Sequence, residues 1–274
     1  MWALKAIGAD PEFFLRDKGR LPVPAIGLIG GTKYEPRFIN DDGFSAVQED
    51  NVMVEFNIKP ARSAKEFAEN IALVMTHLTT DLVRRGFQIA VVPSMKFFPH
   101  QLKHPQAMTI GCEPDWNAWT DRQNPRVSVE KLENIRVSGG HVHISYEFNQ
   151  AKPTPESQLE LVRWCDLFLG VPSVLLDTDT VRRQFYGKAG NFRPKLYGVE
   201  YRTLSNFWIA SQETCQWVFS QIQAMIARMN EGKQLSTVDC WDIREIINRN
   251  NSNLAARFMK KHNLALPGNY HHAL

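Results

Sequence analysis

Four short segments of this 274-residue chain alternate polar and apolar residues as a half-buried β-strand does. They are GlyAlaAspProGluPhePhe at 8–14, ValGluPheAsn at 54–57, HisValHisIleSer at 141–145 and ValGluTyrArg at 199–202. Because residues i and i+2 of a strand share a face, the charged side chains of each segment lie on one face and the apolar ones on the other. The pattern constrains the chain to form strands with one apolar face and one charged face.

The charged faces carry an unusual set of side chains for plain solvent exposure. The residues expected on them are Asp10, Glu12, Glu55, Asn57, His141, His143, Ser145, Glu200 and Arg202. If the four strands lie in one sheet, carboxylates that close repel each other, and divalent cations are the natural counter-charge. Oxygen-rich sites with a histidine suit Mg²⁺ or Mn²⁺ better than zinc. Each segment alone has an ordinary explanation, such as a solvated face or a cross-strand salt bridge, and it is their combination that favours a metal site.

The rest of the pattern predicts an α+β fold. Ser63 begins a capping box with Glu66, and apolar residues then recur at helical spacing until Gly86. Three helices are predicted to finish the chain, near residues 210–230, 239–249 and 252–262. Since strands precede helices without a strict βαβ alternation, we expect a mostly antiparallel sheet with helices packed on its outer face.

The predicted domain organisation is a single domain over residues 1–274, with its C-terminal helices in residues 210–274. A helix is predicted over residues 154–169, with Gly170 as its stop. The segment 99–136 is rich in Pro, Trp, Asn and charge. We interpret it as a long loop or lid, which is unusual enough in a compact domain to suggest function.

The composition is that of an ordinary globular protein, with 43% hydrophobic and 22% charged residues. The net charge of +3 is too small to indicate nucleic acid or a membrane surface as partner. No apolar run approaches the roughly 20 residues needed to span a bilayer, and the N-terminus has no signal-peptide pattern. The four cysteines are far apart in the sequence and form no CxxC pair. We therefore expect reduced thiols in a cytoplasmic protein.

The order and content of the alternating segments carry a resemblance to a known family. The strings GADPEFFL, SGGHVHIS and VEYR, in that order, resemble segments of the catalytic domain of glutamine synthetase. Closer still, GADPEFFL, QEDNVMVEFNI, SGGHVHIS and YGVEYRTLSNFW resemble the phage-type carboxylate–amine (COOH–NH2) ligase type 2 group of that superfamily, over about residues 5–208. The resemblance implies a curved, mostly antiparallel sheet of the glutamine synthetase catalytic-domain type.

The resemblance also implies a set of metal ligands. Asp10 and Glu12 match two first-strand acids that hold separate metal ions, although Asp10 stands where the family has a glutamate. Glu55 matches a further metal acid. The remaining implied ligands are Glu49, His141 and Glu200. The cofactors expected with these residues are ATP and Mg²⁺ or Mn²⁺.

For ATP, the resemblance implies that His143 and Ser145 contact the nucleotide and that Arg202 meets the transferring phosphate. The segment 179–202 has a local excess of basic residues, where we place triphosphate binding. The expected phosphate contacts in it are Arg182, Arg183, Lys188 and Arg193. The ordinary alternative for such a charge run is a solvated basic loop.

Residues 111–119, GlyCysGluProAspTrpAsnAlaTrp, form a second candidate site element. Glu113 and Asp115 are expected to bind the amine substrate or act as a base, and Trp116 and Trp119 to stack on a base or cover the site. The alternative is an acidic loop packed by its tryptophans. The expected catalytic residues are Arg202, Glu55, Glu113 and Asp115.

The function that the resemblance implies is an ATP-dependent carbon–nitrogen ligase (amidoligase) that forms an amide or peptide bond through an acyl phosphate. Its expected partners are ATP, a carboxylate substrate and an amine, which is a small molecule, a peptide or a protein terminus. Alternatives are a phosphotransferase of the guanidino-kinase type on the same fold, a non-catalytic binding or structural protein, and, more weakly, a nucleic-acid-binding protein.

Assembly and location are also expectations at this stage. The chain has no room before Asp10 for the small N-terminal domain of glutamine synthetase, so a ring assembly of that kind is not expected, and an oligomer is left open. If the chain is phage-encoded, its expected location is the host cytoplasm.

Overall fold

The computed structural model describes residues 1–109, 115–125 and 129–268. The strands are β1 (Trp2–Arg16), β2 (Pro22–Val23), β3 (Arg37–Phe38), β4 (Ala46–Asp50), β5 (Met53–Asn57), β6 (Gln88–Ala90), β7 (Ser94–Lys96), β8 (Trp116–Asn117), β9 (Arg122–Gln123), β10 (Ile135–Val137), β11 (Gly140–Phe148), β12 (Asn191–Lys195) and β13 (Gly198–Tyr201). The α-helices are α1 (Ala64–Arg84), α2 (Val129–Leu132), α3 (Pro155–Cys165), α4 (Val171–Leu176), α5 (Arg182–Phe185), α6 (Gln212–Asn230), α7 (Thr237–Arg249) and α8 (Ser252–His262).

Eleven of the described strands form one large sheet around β1. Its order is β3-β4-β5-β1-β11-β13-β12-β8-β9, and β2 and β6 also pair with β1. Every pairing in it is antiparallel. A separate two-stranded pair joins β10 to β7. The predicted α+β fold with an antiparallel sheet is confirmed, and so is the premise that the four alternating segments share one sheet.

Pro11, which has no N–H to donate, lies inside the long strand β1. Its register partner Gly140 is the last one that β1 shares with β11. At the next residue, Glu12, the pairing of β1 with β5 begins. The proline therefore stands at the point where β1 passes from one neighbouring strand to another, and this placement explains why a central strand tolerates it.

The apolar face of the sheet is covered by helices. Ile7, Phe13 and Val142 on the sheet belong to the same buried cluster as Phe67 of α1 and Val218 of α6. The helix α1 begins where the sequence predicts, because the Ser63 side chain accepts a hydrogen bond from the Glu66 N–H. Helices α6, α7 and α8 confirm the three predicted C-terminal helices. No helix among the described residues is both long enough and apolar enough to span a membrane.

The segment 99–136 is not a featureless loop. Its described parts contain two short 3₁₀ helices (Pro99–Leu102 and Pro105–Met108), the strands β8 and β9, the short helix α2 and the start of β10. The buried side chain of Asn51 donates hydrogen bonds to the carbonyls of Ala107 and Thr109, which ties this segment to the β4–β5 turn. The prediction that it acts as a lid stays a prediction.

The prediction that Gly170 stops a helix is wrong. The backbone continues in helical conformation from α3 through a π-helical turn (Asp166–Gly170) into α4. A Cβ on Gly170 would lie 2.6 Å from Ile247 Cδ1 and 2.8 Å from Tyr201 Oη. The glycine is needed for close packing against α7 and β13, and not for a change of backbone direction.

We expect Gly170→Ala to destabilise the protein by about 1–3 kcal/mol, because the added methyl overlaps two buried groups. Urea denaturation measures the effect. Gly8→Ala is the matched control, since Gly8 is also buried and a Cβ there meets nothing closer than 3.6 Å. Equal stability of the two variants would contradict the packing explanation.

Candidate active site

The strand register brings the predicted polar residues together on one face of the sheet. Asp10 lies opposite His141 across β1 and β11, and Glu12 lies opposite Glu55 across β1 and β5. His143 lies opposite Glu200 across β11 and β13. These side chains line one open cavity of about 590 Å³. The cavity is also lined by Asp50, Lys33, Gln106, Thr109, Arg193, Lys195 and Arg202.

A first group of potential metal ligands lies on the β11–β13 side of β1. One ligand atom from each of Asp10, His143 and Glu200 falls within 4.8 Å of the other two. Nε2 of His143 is 3.0 Å from Oδ1 of Asp10. Burial alone would lower the pKa of His143, but the nearby Asp10 carboxylate holds that pKa above its ordinary value. The geometry thus places His143 in this group, whereas the sequence analysis expected it to contact ATP.

A second group consists of carboxylates only. Ligand atoms of Glu12, Asp50 and Glu55 lie within 4.8 Å of one another. Burial and, next, the Asp50 carboxylate raise the pKa of Glu12 to about 8, against an opposing hydrogen bond from the Gly139 N–H. The pKa of Glu55 is also raised well above its ordinary value by burial and by the neighbouring acids. Three acids in this arrangement favour a shared cation.

Asp50 is a site residue that sequence reasoning missed. In the β4–β5 hairpin Gln48 lies opposite Glu55, so Asp50, two residues later, shares the face of Glu55. Glu49 also lines the cavity, but its carboxylate accepts hydrogen bonds from the N–H groups of Gly27, Ile29 and Gly30. The sequence signal that could have found Asp50 is Asn51, because asparagine favours a tight turn, and here it adopts a positive φ of 55° between β4 and β5.

His141 is 3% exposed and lies beside the first group. Its Nδ1 is 3.2 Å from Arg202 Nη1, 3.6 Å from Asp10 Oδ1 and 3.9 Å from Glu200 Oε1. Burial and the adjacent Arg202 guanidinium hold the pKa of His141 well below its usual value, so the ring is neutral and offers a lone pair. Among the described residues its Nε2 has no hydrogen-bond partner.

Basic side chains converge on Glu200 at the other side of the cavity. Arg202 contacts its carboxylate, Arg193 Nη1 is 3.2 Å from Oε1, and Lys195 Nζ is 2.8 Å from Oε2. Burial alone would raise the pKa of Glu200, but Arg202 and the neighbouring cations hold that pKa well below its ordinary value. Glu200 is therefore an ionised carboxylate that fixes the positions of three cations.

Asp115 joins this cluster from the loop before β8. Its side chain is 6% exposed, and Oδ1 lies 2.9 Å from Arg202 Nε and 3.6 Å from Arg193 Nε. Burial raises the pKa of Asp115, and the two arginines oppose that shift. Asp115 thus lies against the two arginines of the cavity's cationic end without itself lining the described cavity. Glu113 and Cys112 lie outside the described residues.

Three of the predicted phosphate contacts lie away from the cavity lining. Arg182 is fully buried, and its guanidinium donates to the backbone carbonyls of Ser138, Thr203 and Leu204. Arg183 is also buried and donates to Ser173 Oγ, whereas Nζ of Lys188 is 3.4 Å from the Asn248 carbonyl oxygen. Only Arg193 of the four predicted contacts lines the described cavity.

The remaining predicted residues lie at the margin of the site. Ser145 is on the same strand face as His143, but it pairs with Gly198 near the β12–β13 turn and does not line the described cavity. The Trp119 indole N–H donates to Asp166 on the apolar side of the sheet. Trp116 is 38% exposed in β8. Neither tryptophan lines the described cavity.

The site therefore combines two potential cation sites with a cluster of fixed cations, all facing one cavity. Carboxylate oxygens and an imidazole are ligands that suit Mg²⁺ and Mn²⁺. Guanidinium groups suit phosphate and carboxylate oxygens, which they bind in a bidentate way. This arrangement is suited to reactions of a polyphosphate with a second anionic substrate.

Comparison with solved structures finds low similarity over nearly the whole chain. A bifunctional glutathione synthetase from Pasteurella multocida is 9% identical, with 95% of this chain and 49% of that chain covered and a TM-score of 0.48. Apo GmaS is 13% identical, with 95% and 68% covered and a TM-score of 0.42. A novel glutamine synthase homolog is 14% identical, with 94% and 64% covered and a TM-score of 0.41. This chain thus spans about half the length of the Pasteurella enzyme.

Sequence comparisons are more specific. A search of curated proteins finds no match. The sequence model of the family described as phage phiEco32-like COOH.NH2 ligase-type 2 matches residues 133–261, a range that contains His141, His143, Glu200 and Arg202. This match confirms the predicted resemblance to the carboxylate–amine ligase type 2 family over residues 133–261.

Proposed function

We propose that this chain is an ATP- and divalent-metal-dependent ligase that joins a carboxylate to an amine through an acyl phosphate. The observation that supports it most is the arrangement of the cavity. Two groups of potential metal ligands, Asp10–His143–Glu200 and Glu12–Asp50–Glu55, face the same space as Arg193, Lys195 and Arg202. The family match supports the same class of reaction.

The residues present fit divalent cations. Burial and the neighbouring acids raise the pKa of Glu12 and of Glu55, and a bound cation would oppose both effects. In the proposal, the Asp10 group and the Glu12 group each hold one Mg²⁺ or Mn²⁺. Such ions neutralise the charge of the nucleotide phosphates and of the substrate carboxylate.

The chain's own cations are assigned to the transferring phosphate. Arg202 is held by Glu200 on one side and by Asp115 on the other, so its guanidinium is fixed before any substrate binds. Phosphoryl transfer is catalysed mainly by positioning and charge stabilisation, so a preorganised guanidinium of this kind lowers the barrier. Arg193 and Lys195, on the neighbouring strand β12, are assigned to the other phosphate oxygens.

The reaction has two steps. A carboxylate oxygen of the acid attacks the terminal phosphorus of ATP, the bond to ADP breaks, and an acyl phosphate forms. The amine then attacks the acyl carbon, phosphate leaves, and the amine loses a proton. Asp115, whose pKa burial raises, is assigned to accept that proton, together with Glu113 from the adjoining segment.

Hydroxylamine trapping tests this function without knowledge of the natural amine. With ATP, Mg²⁺ and a library of carboxylates, a ligase gives hydroxamate and ADP. A phosphotransferase gives ADP and a phosphorylated product but no hydroxamate. Absence of ADP formation across the library, together with absence of binding of a non-hydrolysable ATP analogue, would contradict the proposal and favour a non-catalytic protein.

Glu12→Gln tests the metal assignment through stability. The pKa of Glu12 is about 8 in the folded chain against an ordinary value of 4.5, so the metal-free fold binds the proton more tightly than the unfolded chain. Its contribution to stability therefore falls as pH rises between about 4.5 and about 8. We expect Glu12→Gln to melt at a higher temperature than the unmodified chain at pH 8 without metal, and to lose the part of the Mg²⁺ stabilisation that the Glu12 group supplies.

The control for this variant is Glu69→Gln, which changes an exposed acid on α1. It should keep the full response of the melting temperature to Mg²⁺. The assignment fails if Glu12→Gln responds to Mg²⁺ as the unmodified chain does.

Arg202→Lys tests the role of the guanidinium, because lysine keeps the charge beside Glu200 and Asp115 but loses the planar fork. We expect turnover to fall about 10²–10³-fold, as for removal of one donor from a preorganised transition-state site, with a much smaller change in affinity for an ATP analogue. Steady-state kinetics and calorimetry give the two numbers, and equal losses in both would make Arg202 a binding residue.

Lys188→Ala, assayed in parallel, separates two versions of the phosphate site. If segment 179–202 binds the triphosphate as the sequence predicts, Lys188→Ala should lose nucleotide affinity. The cavity geometry, in which Lys188 lies against Asn248, expects little change.

A further inference from the structure

The two ring nitrogens of His143 face different partners. Nε2 points to Asp10, 3.0 Å away, and so to the first ligand group with Glu200. Nδ1 lies 2.5 Å from the phenolic oxygen of Tyr197. A hydrogen bond at one imidazole nitrogen determines whether the other nitrogen carries a proton or a lone pair. The Tyr197 hydroxyl therefore contacts the atom that controls the state of Nε2.

Tyr197 is held in place by the turn that carries it. The turn joins β12 to β13, and the Tyr197 carbonyl accepts a hydrogen bond from the Tyr146 N–H. Behind the turn, the Gln158 side chain of α3 donates to the carbonyls of Lys195 and Gly198. A Cβ on Gly198 would fall 1.8 Å from the Ile144 carbonyl oxygen, so the turn lies directly against β11. The phenol is thus presented to His143 by backbone fixed on both sides.

The side chain itself contributes little to the core. Tyr197 is 42% exposed, and its ring centroid is 6.2 Å from that of His143, at an angle of 33°. Loss of the hydroxyl alone would leave the ring, the turn and its backbone hydrogen bonds in place. A structural requirement for tyrosine over phenylalanine is therefore not evident from packing, and the contact with His143 Nδ1 is what distinguishes the two.

We propose that Tyr197 is a positioning residue that accepts the Nδ1–H of His143 and so turns the Nε2 lone pair toward a divalent cation shared with Asp10 and Glu200. Histidines that bind metals commonly donate their second N–H to an oxygen, and loss of that partner weakens metal binding about 10–100-fold. The inference rests on the metal part of the proposed function, and it extends the site to a residue outside the cavity lining. Tyr197 acts through His143 and does not itself touch the reacting groups.

Calorimetric titration with Mn²⁺ tests the inference in a Glu55→Gln background, where the all-carboxylate group is impaired and the first group dominates binding. We expect Tyr197→Phe to bind Mn²⁺ about 10–100-fold more weakly than its parent. Leu196→Ala is the matched control, since Leu196 lies on the same turn and is 94% exposed. It should bind Mn²⁺ as its parent does. The same comparison in the otherwise unmodified chain guards against a Glu55 variant that fails to fold.

Long-range ¹H–¹⁵N spectra of the histidine rings give a readout that a general structural defect would not mimic. With Mg²⁺ bound, His143 should carry its proton on Nδ1, and Tyr197→Phe should lose that single state while the other histidine signals stay unchanged. Unaltered Mn²⁺ affinity with an unaltered His143 tautomer would overturn the inference. So would weaker binding of an ATP analogue with unchanged metal affinity, which would make His143 a nucleotide contact.

These experiments distinguish failure of the Tyr197 inference from failure of the proposed ligase function. If the chain binds Mn²⁺ through Tyr197 and His143 but gives no acyl phosphate, the ligase proposal fails and the positioning role stands. If acyl phosphate forms while Tyr197→Phe keeps full Mn²⁺ affinity, the positioning role alone is overturned. Absence of any Mn²⁺ binding by the unmodified chain would overturn both.

Discussion

Repulsion among carboxylates on one sheet face is the constraint to which the rest of this site responds. The negative charge of Glu200 is neutralised from within the chain, because Arg202, Arg193 and Lys195 contact its carboxylate. The arginines hold the pKa of Glu200 low. For Glu12 and Glu55, burial and the neighbouring acids prevail, and they raise the pKa of both carboxyl groups. The chain's own cations thus gather around Glu200, while the carboxylates of Glu12 and Glu55 lie at the other end of the cavity. That asymmetry is what a reaction between two anions, a polyphosphate and a carboxylate, requires.

The opposite face of the sheet explains how such a site is kept rigid. Tyr201 stands between Glu200 and Arg202, and its hydroxyl donates to the buried Asp166 of the π-helical turn. The same carboxylate accepts from the Trp119 indole, which lies four residues after Asp115. Close packing at Gly170 brings this turn against β13. The strand that carries Glu200 and the loop that carries Asp115 are therefore fixed by one buried group.

Several parts of the fold and site were predictable because they depend on local pattern. The alternation in β1, β5, β11 and β13 predicts which side chains share a face, and Ser63 predicts the start of α1. Sequence-based interpretation was ambiguous where one residue type can serve two structural roles. Gly170 has the composition signal of a helix stop and serves instead as a packing contact. Arg182 belongs to a basic run, but a charge run does not reveal which of its members is buried against backbone carbonyls, as Arg182 is at Ser138, Thr203 and Leu204.

The sequence by itself determined the strands, their polar faces and the chemical type of each ligand, since alternation is a property of neighbouring residues. Only the tertiary structure decided which ligands meet. Register between β1 and β11 joins residues more than a hundred positions apart, and register between β11 and β13 places His143 opposite Glu200. The β4–β5 register places Asp50 on the face of Glu55. A shift of one residue in any of these pairings would turn the opposite set of side chains toward the cavity, and local sequence does not encode that choice. The hydrogen-bond register between distant strands therefore determines which of the predicted site residues lie together.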